Sequence, residues 1–259
     1  NPTTPGCSIR YAHPTTGKDY LPQIYTGIIN YELHLRYYNQ ALNFCGAPYA
    51  FHTVGSSMAV KSSAYQKQGG MNKRKAGEDF YFLQKIIELG GFTELNTTCV
   101  IPSPRISDRV PFGTGKAIGD WVEKNDENYY TYNFQIFIEL KELFENIINI
   151  YNKVDYTIKY ELVLQYMVKI NFENKVAEIR KNTTNYLNFE KRFYTFFNAF
   201  MVLKLVHYAR DNFYPNSPVQ QEAQKLLNHC FQFNQNEKNP EKLLLHFRSL
   251  ERGNGVVVE

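Results

Sequence analysis

The chain has 259 residues, 43% hydrophobic and 15% aromatic, with a net charge of +4 from 29 basic and 25 acidic residues. That apolar content argues against a disordered chain, and so even a balance of charge argues against a nucleic-acid-binding protein, which needs a clustered basic face. No apolar run reaches the roughly 20 residues that cross a bilayer, and Cys7, Cys45, Cys99 and Cys230, with no Cys-x-x-Cys spacing, read as reduced core thiols of a cytosolic protein.

In chain order, Cys7 to Ala12 reads as a short strand. Ile24, Ile28, Tyr31, Leu35, Tyr38 and Leu42 then alternate spacings of four and three, which predicts one face of a long amphipathic helix. Pro22 marks its start and Gly46 its end. Tyr49 to Val60 is strand-like but interrupted by Gly55-Ser56-Ser57, small residues of the kind found where a ligand or another backbone comes close. A short helix is predicted from Ser62-Ser63 to Gly69-Gly70, and Asn72 to Ala76 reads as a basic loop. From Glu78, Phe82, Leu83, Ile86 and Ile87 form a second apolar stripe that ends at Gly90-Gly91, and Phe92 to Ile101 is a further strand. Strand and helix alternating in this way predict an α/β layer.

Beyond about residue 119 glycine becomes scarce and helical stripes take over. Phe137, Leu140, Phe144, Ile147 and Tyr151 form one, and Phe189, Phe193, Phe196, Phe200 and Leu203 another. Two later helices carry Leu226, Leu227 and Phe231, then Leu243, Leu244 and Phe247 after an Asn239-Pro240 start. The predicted division is an α/β domain over 1–119 and a mainly α-helical domain over 120–259.

Two features carry chemistry. Glu78 and Asp79 open a helix. Acids there stabilise the macrodipole by roughly 0.3–1 kcal/mol, or one of them faces a cleft and takes a proton from an attacking hydroxyl, kept ionised by the helix N-terminus. Arg105 and Arg109 lie in a proline-flanked loop with Ser107 and Asp108, followed by Gly113-Thr114-Gly115-Lys116. That loop is either a solvated surface with an Arg–Asp pair or a clamp for phosphate oxygens; its glycine spacing is not that of a P-loop. His13, His34 and His52 have no metal-ligand spacing and read as structural or surface residues, and His207 falls on an apolar stripe.

The run Gly55-Ser56-Ser57-Met58-Ala59-Val60-Lys61, then Gly69-Gly70-Met71, then Gly77-Glu78-Asp79 resembles the second half of family 2 glycosyltransferases of the GT-A type. A small-residue strand, a Gly-Gly turn and a Glu-Asp pair opening a helix recur there in this order. The resemblance implies a partial GT-A-like layer, a mixed sheet with flanking helices, ahead of the helical region. It makes Asp79 the general base, with Glu78 beside it, in an inverting transfer from a nucleotide-sugar donor to a glycan or other hydroxyl acceptor. His52, Gly55, Ser56 and Ser57 would border the donor and acceptor cleft, and Arg105 and Arg109 would help neutralise the diphosphate.

A divalent metal, Mn or Mg, is expected in the intact enzyme. The Asp-x-Asp motif that would hold it is not in this sequence, and Pro102-Ser103-Pro104-Arg105 stands where the family often has a further metal-binding histidine. The metal ligands are therefore expected mostly upstream, and none is assigned here. The chain begins at Asn1, which suggests a processed or excised piece of a longer protein, weakly active or inactive by itself. The expected location is cytoplasmic, including the inner face of a membrane. The alternative is a non-catalytic interaction module whose aromatic helical stripes dock a partner.

Overall fold

A computed structural model describes residues 3–72, 77–124, 128–154, 157–233 and 236–253. The basic loop expected over 72–76 therefore lies, but for Asn72, outside the described residues. The protein is a mixed α/β chain with a small mixed sheet and mostly helical content. It divides into two compact units, one of Asn1–Asn39, Phe51–Thr131 and Pro218–Glu259, the other of Gln40–Ala50 and Tyr132–Ser217. These units cut the chain differently from 1–119 and 120–259: 120–131 and 218–259 group with the sheet, and 40–50 with the intervening helices.

In the first unit, strand β1 (Gly6–Tyr11) is central. It pairs antiparallel with β2 (Met58–Val60) and parallel with β3 (Thr93–Val100). Glycine at position 6 permits the first pairing, since a Cβ there would lie 2.8 Å from the Ala59 carbonyl. The strand expected over Tyr49 to Val60 shrinks to three residues. Before it the chain turns, with Ser57 N–H donating to the Val54 carbonyl at 2.9 Å.

Helix α1 (Pro22–Phe44) has the predicted extent, and Gly46 follows it at φ +82°. Its buried face is not the predicted stripe. Ile24, Ile28 and Leu42 are buried as expected, but between them Glu32, Leu33, Arg36 and Tyr37 are fully covered while Tyr31, Leu35 and Tyr38 are only partly so. Helix α2 (Ser62–Lys67) stops at Gly69 and Gly70, both at positive φ, and α3 (Glu78–Ile87) buries the predicted Phe82, Leu83, Ile86 and Ile87.

Helix α4 (Thr114–Lys124) occupies what the sequence offered as a glycine-rich anion loop. Its glycines lower helix propensity but serve packing. A Cβ on Gly115 would meet Ser107 at 2.6 Å, and Trp121 packs where a Cβ on Gly27 of α1 would be 2.7 Å from its ring.

The second unit contains α5 (Gln135–Glu145), α6 (Ile147–Asn152), α7 (Glu161–Lys169), α8 (Phe172–Lys181), α9 (Tyr186–Phe196) and α10 (Ala199–Asn212). Phe189, Phe193 and Phe197 are fully buried, with the Phe193 ring stacked on Phe189 at 6.2 Å and on Phe197 at 6.0 Å. These aromatic rings fill the unit's core.

Both long stripes are broken at asparagine. The first divides at Asn146, and the second at Asn198, whose side chain accepts hydrogen bonds from the N–H groups of Phe200 and Met201, both at 3.1 Å. Beyond that cap the buried positions shift to Val202, Leu205, Val206 and Ala209. Asn198→Ala is expected to cost about 1 kcal/mol, read as a lower midpoint of thermal unfolding; an unchanged midpoint would show that the cap contributes nothing.

The first unit is completed by α11 (Val219–Phe231) and α12 (Pro240–Leu250). Of the four thiols expected in the core only Cys45 is buried, and burial pushes it up to about 12. Cys7 and Cys99 are partly covered and Cys230 is exposed. No helix among the described residues is long and apolar enough to cross a membrane.

Candidate functional site

Asp79 sits in the first turn of α3, behind Gly77, which takes the left-handed conformation at φ +72° as the N-cap residue. Gly77 offers no side chain to cap the helix. Instead Asp79 Oδ1 accepts from the N–H of Phe80 at 2.7 Å, and Oδ2 accepts from the N–H of Gly55 at 3.0 Å. The second bond joins the small-residue segment to the carboxylate pair across 24 positions of sequence.

Gly55 is required by this approach. A Cβ there would stand 2.7 Å from Asp79 Oδ2 and 3.0 Å from its Cβ. Gly55→Ala is therefore expected to break the bond, seen as loss of the pH-dependent shift of the residue-55 amide that follows the Asp79 carboxyl. A shift that survives intact would mean the contact is loose.

Burial raises the Asp79 pKa, against hydrogen bonds from Phe80 and Gly55 that lower it. The helix start alone was expected to keep this carboxylate ionised; desolvation instead makes it a stronger base. Nearby, the Tyr31 phenol is raised by burial first, eased by its hydrogen bond with Thr114, and raised again by the charge of Asp79. Tyr31 and Thr114 thus belong to the surroundings of Asp79, and neither stood out in the sequence, where Thr114 looked like part of a loop.

The other expected residues differ in burial and in partners. Ser56 is exposed, whereas Ser57 is buried and its Oγ has no hydrogen-bond partner among the described residues. Glu78 is partly buried beside Asp79 and raises its pKa. Arg105 and Arg109 are exposed, and among the described residues neither guanidinium makes an ion pair. Their loop is anchored by the Tyr20 hydroxyl on Ser103 Oγ at 2.8 Å and by Ser107 N–H on the Gly115 carbonyl at 3.2 Å. His52, expected in the cleft, points elsewhere: its Nε2 lies 3.0 Å from Glu251 Oε1 and its ring packs edge-on against Tyr11.

That contact belongs to a buried chain of charges. Glu32 and Arg36 stand one turn apart on α1, and Arg248 and Glu251 come from the end of α12. Glu32 accepts from Arg36 at 2.8 Å, from Arg248 at 2.7 Å on both oxygens, and from the backbone N–H of His13 at 2.8 Å. Arg36 pairs in turn with Glu251 and donates to the Tyr11 carbonyl. The order is Arg248, Glu32, Arg36, Glu251, His52, alternating in sign as far as Glu251.

Burial alone would raise the Glu32 pKa, but His13, Arg248 and Arg36 together hold it far below the usual carboxylate range. For Arg36 burial is likewise outweighed, by Glu251, Tyr11 and Glu32, and the guanidinium is held charged. The i,i+4 spacing of Glu32 and Arg36 and the i,i+3 spacing of Arg248 and Glu251 are visible in the sequence; their burial is not, because charged residues on a helix ordinarily mark its solvated face.

The fit of a divalent metal turns on its donors. Both Asp79 oxygens already accept backbone N–H groups, and among the described residues no group of three or more His, Cys, Asp or Glu could hold an ion. No described residue is assigned to a metal, and no step below passes through one. Against known proteins, the chain matches no family model, no curated protein and no solved structure.

Proposed function

We propose that this chain carries the acceptor-activating part of an inverting, family 2-like glycosyltransferase of GT-A type, with Asp79 as general base. The observation that carries the reading is the hydrogen bond from Gly55 N–H to Asp79 Oδ2. It joins two of the motif segments on which the resemblance rests and leaves a half-buried carboxylate of raised pKa at a helix start. A base is most effective when its pKa is drawn toward the working pH while it remains ionised.

In the proposed step the acceptor hydroxyl oxygen attacks the anomeric carbon from the face opposite the diphosphate. The bond from that carbon to the diphosphate oxygen breaks, and the leaving group departs with the electron pair. The hydroxyl proton passes to Asp79. Each Asp79 oxygen spends one lone pair on a backbone N–H and retains another for that proton. Arg105 and Arg109, exposed and without an ion-pair partner among the described residues, have the chemistry to meet the diphosphate. The reading assigns the donor's nucleotide to residues outside this sequence, so its test uses the whole protein.

That test measures nucleoside diphosphate release from a panel of nucleotide sugars in the presence of hydroxylated acceptors. Acceptor-dependent release with at least one donor, with inverted configuration in the product, is the expected result. Release that is independent of acceptor, or a product of retained configuration, overturns the reading.

A further inference from the structure

The segment 52–57 delivers the Gly55 N–H to Asp79, and within it one turn bond is described, from Ser57 N–H to the Val54 carbonyl at 2.9 Å. Its far end is tied to the sheet, where Ile9 N–H donates to the Ser57 carbonyl at 2.8 Å. At its near end the Phe51 ring packs edge-on against Phe92, and the next residue, His52, meets Glu251. A carboxylate can only accept, so the 3.0 Å contact requires the proton on His52 Nε2. Glu251 is itself held by Arg36, a side chain 1% exposed that is locked by Glu32. The C-terminal end of α12 is thereby connected through buried charge to a loop three residues from the glycine that touches Asp79.

We infer that Glu251 and His52 are positioning residues, fixing the 52–57 segment so that the Gly55 N–H meets Asp79 Oδ2. The inference rests on reading Asp79 as the base only for its catalytic meaning; the geometry it asserts stands or falls separately. In this role α12 is a strap whose docking sets the hydrogen bonding of the carboxylate, and hence its readiness to take a proton. Removing the His52 side chain spares the Arg36–Glu251 pair and cuts the outer link together with the edge-on packing on Tyr11. Gln in its place restores an N–H donor close to the position of Nε2.

The experiment uses the full chain labelled with 15N and 13C. The Gly55 amide shift and the Asp79 carboxyl carbon are followed together through a pH titration, with amide exchange measured alongside. In the wild type the Gly55 amide is expected to titrate with Asp79. In His52→Ala that coupling disappears and exchange at Gly55 speeds up about tenfold, the worth of one hydrogen bond, while the amides of α3 and β3 keep their shifts. His52→Gln restores both, and Glu251→Ala reproduces His52→Ala. If Glu251→Ala does not fold, the two His52 variants decide.

A folded His52→Ala protein with unchanged coupling overturns the inference, as does a folded Glu251→Ala protein in which Gly55 still follows Asp79. Failure of His52→Gln to restore the coupling also overturns it, because the edge-on packing of His52 on Tyr11, and not its bond to Glu251, would then be what holds the loop. None of these readings depends on glycosyl transfer, so a failed transfer assay and a failed strap are told apart.

Discussion

Glu32→Gln is expected to destabilise the sheet-containing unit by about 3–5 kcal/mol, the cost of breaking a buried charge network by removing one member. The side chain is fully covered and accepts from Arg36, Arg248 and the His13 backbone. Glutamine keeps one acceptor oxygen but turns an amide donor toward guanidinium groups that can only donate. It also takes from Arg248 the carboxylate it pairs with and leaves Arg36 with Glu251. Denaturant unfolding near neutral pH reads the loss directly. A loss under about 1 kcal/mol would place the network with exposed ion pairs, which contribute little.

The pH dependence has a definite sign. Glu32 is held below its ordinary 4.5, so its contribution is complete above that value and is lost as pH falls through the folded-state pKa. Glu251 is also lowered, by His52 and Arg36 against its burial, and adds in the same direction. Wild type should therefore lose stability on the acid side more steeply than Glu32→Gln, and the two curves should converge there. Parallel curves would mean that Glu32 is not charged in the native state.

This network also shows where the sequence stops being legible. Period and punctuation alone placed α1, α2, α3, β1 and β3, because Pro22, Gly46, Gly69-Gly70 and Gly90-Gly91 act within one turn of where they stand. The face of α1 was misjudged because Glu32 and Arg36 are buried by partners more than 200 residues away, and no local pattern announces such partners. Helix α4 was missed for a related reason, since Gly115 and Gly119 are explained by the backbone and side chains they let in. The Asn198 break in the aromatic stripe was legible in principle. Asparagine there suits an N-cap, but the continuous run of Phe spacing hid it. At the candidate site the motif order pointed to Gly55 and Asp79, which do meet. His52 stood close to them in sequence, but its side chain turns toward α12.

Asp79→Asn is expected to lower transfer by about 10²–10⁴-fold in the whole enzyme, the usual contribution of a positioned general base. Stability should move the other way or not at all. Burial raises the Asp79 pKa above its ordinary 3.8, so in the folded protein the charged form is the costly one. The stabilising contribution of this group is present below the unfolded-state value and is lost as pH rises through the folded one. At neutral pH the substitution therefore removes an unfavourable charge. It also spoils one of the two backbone bonds, because the new amide can accept at only one end. On the proposed reading, a carboxylate whose charge is disfavoured by burial and which stands against Gly55 with no room for a methyl group is kept for its chemistry at some cost to the fold. The rate should carry the same signature. Turnover in wild type is expected to fall as pH drops through the raised Asp79 pKa, and the residual turnover of Asp79→Asn to lack that limb. Near-normal turnover with the acid limb intact would reduce Asp79 to an acid at a helix start, and the proton would have to leave by another route.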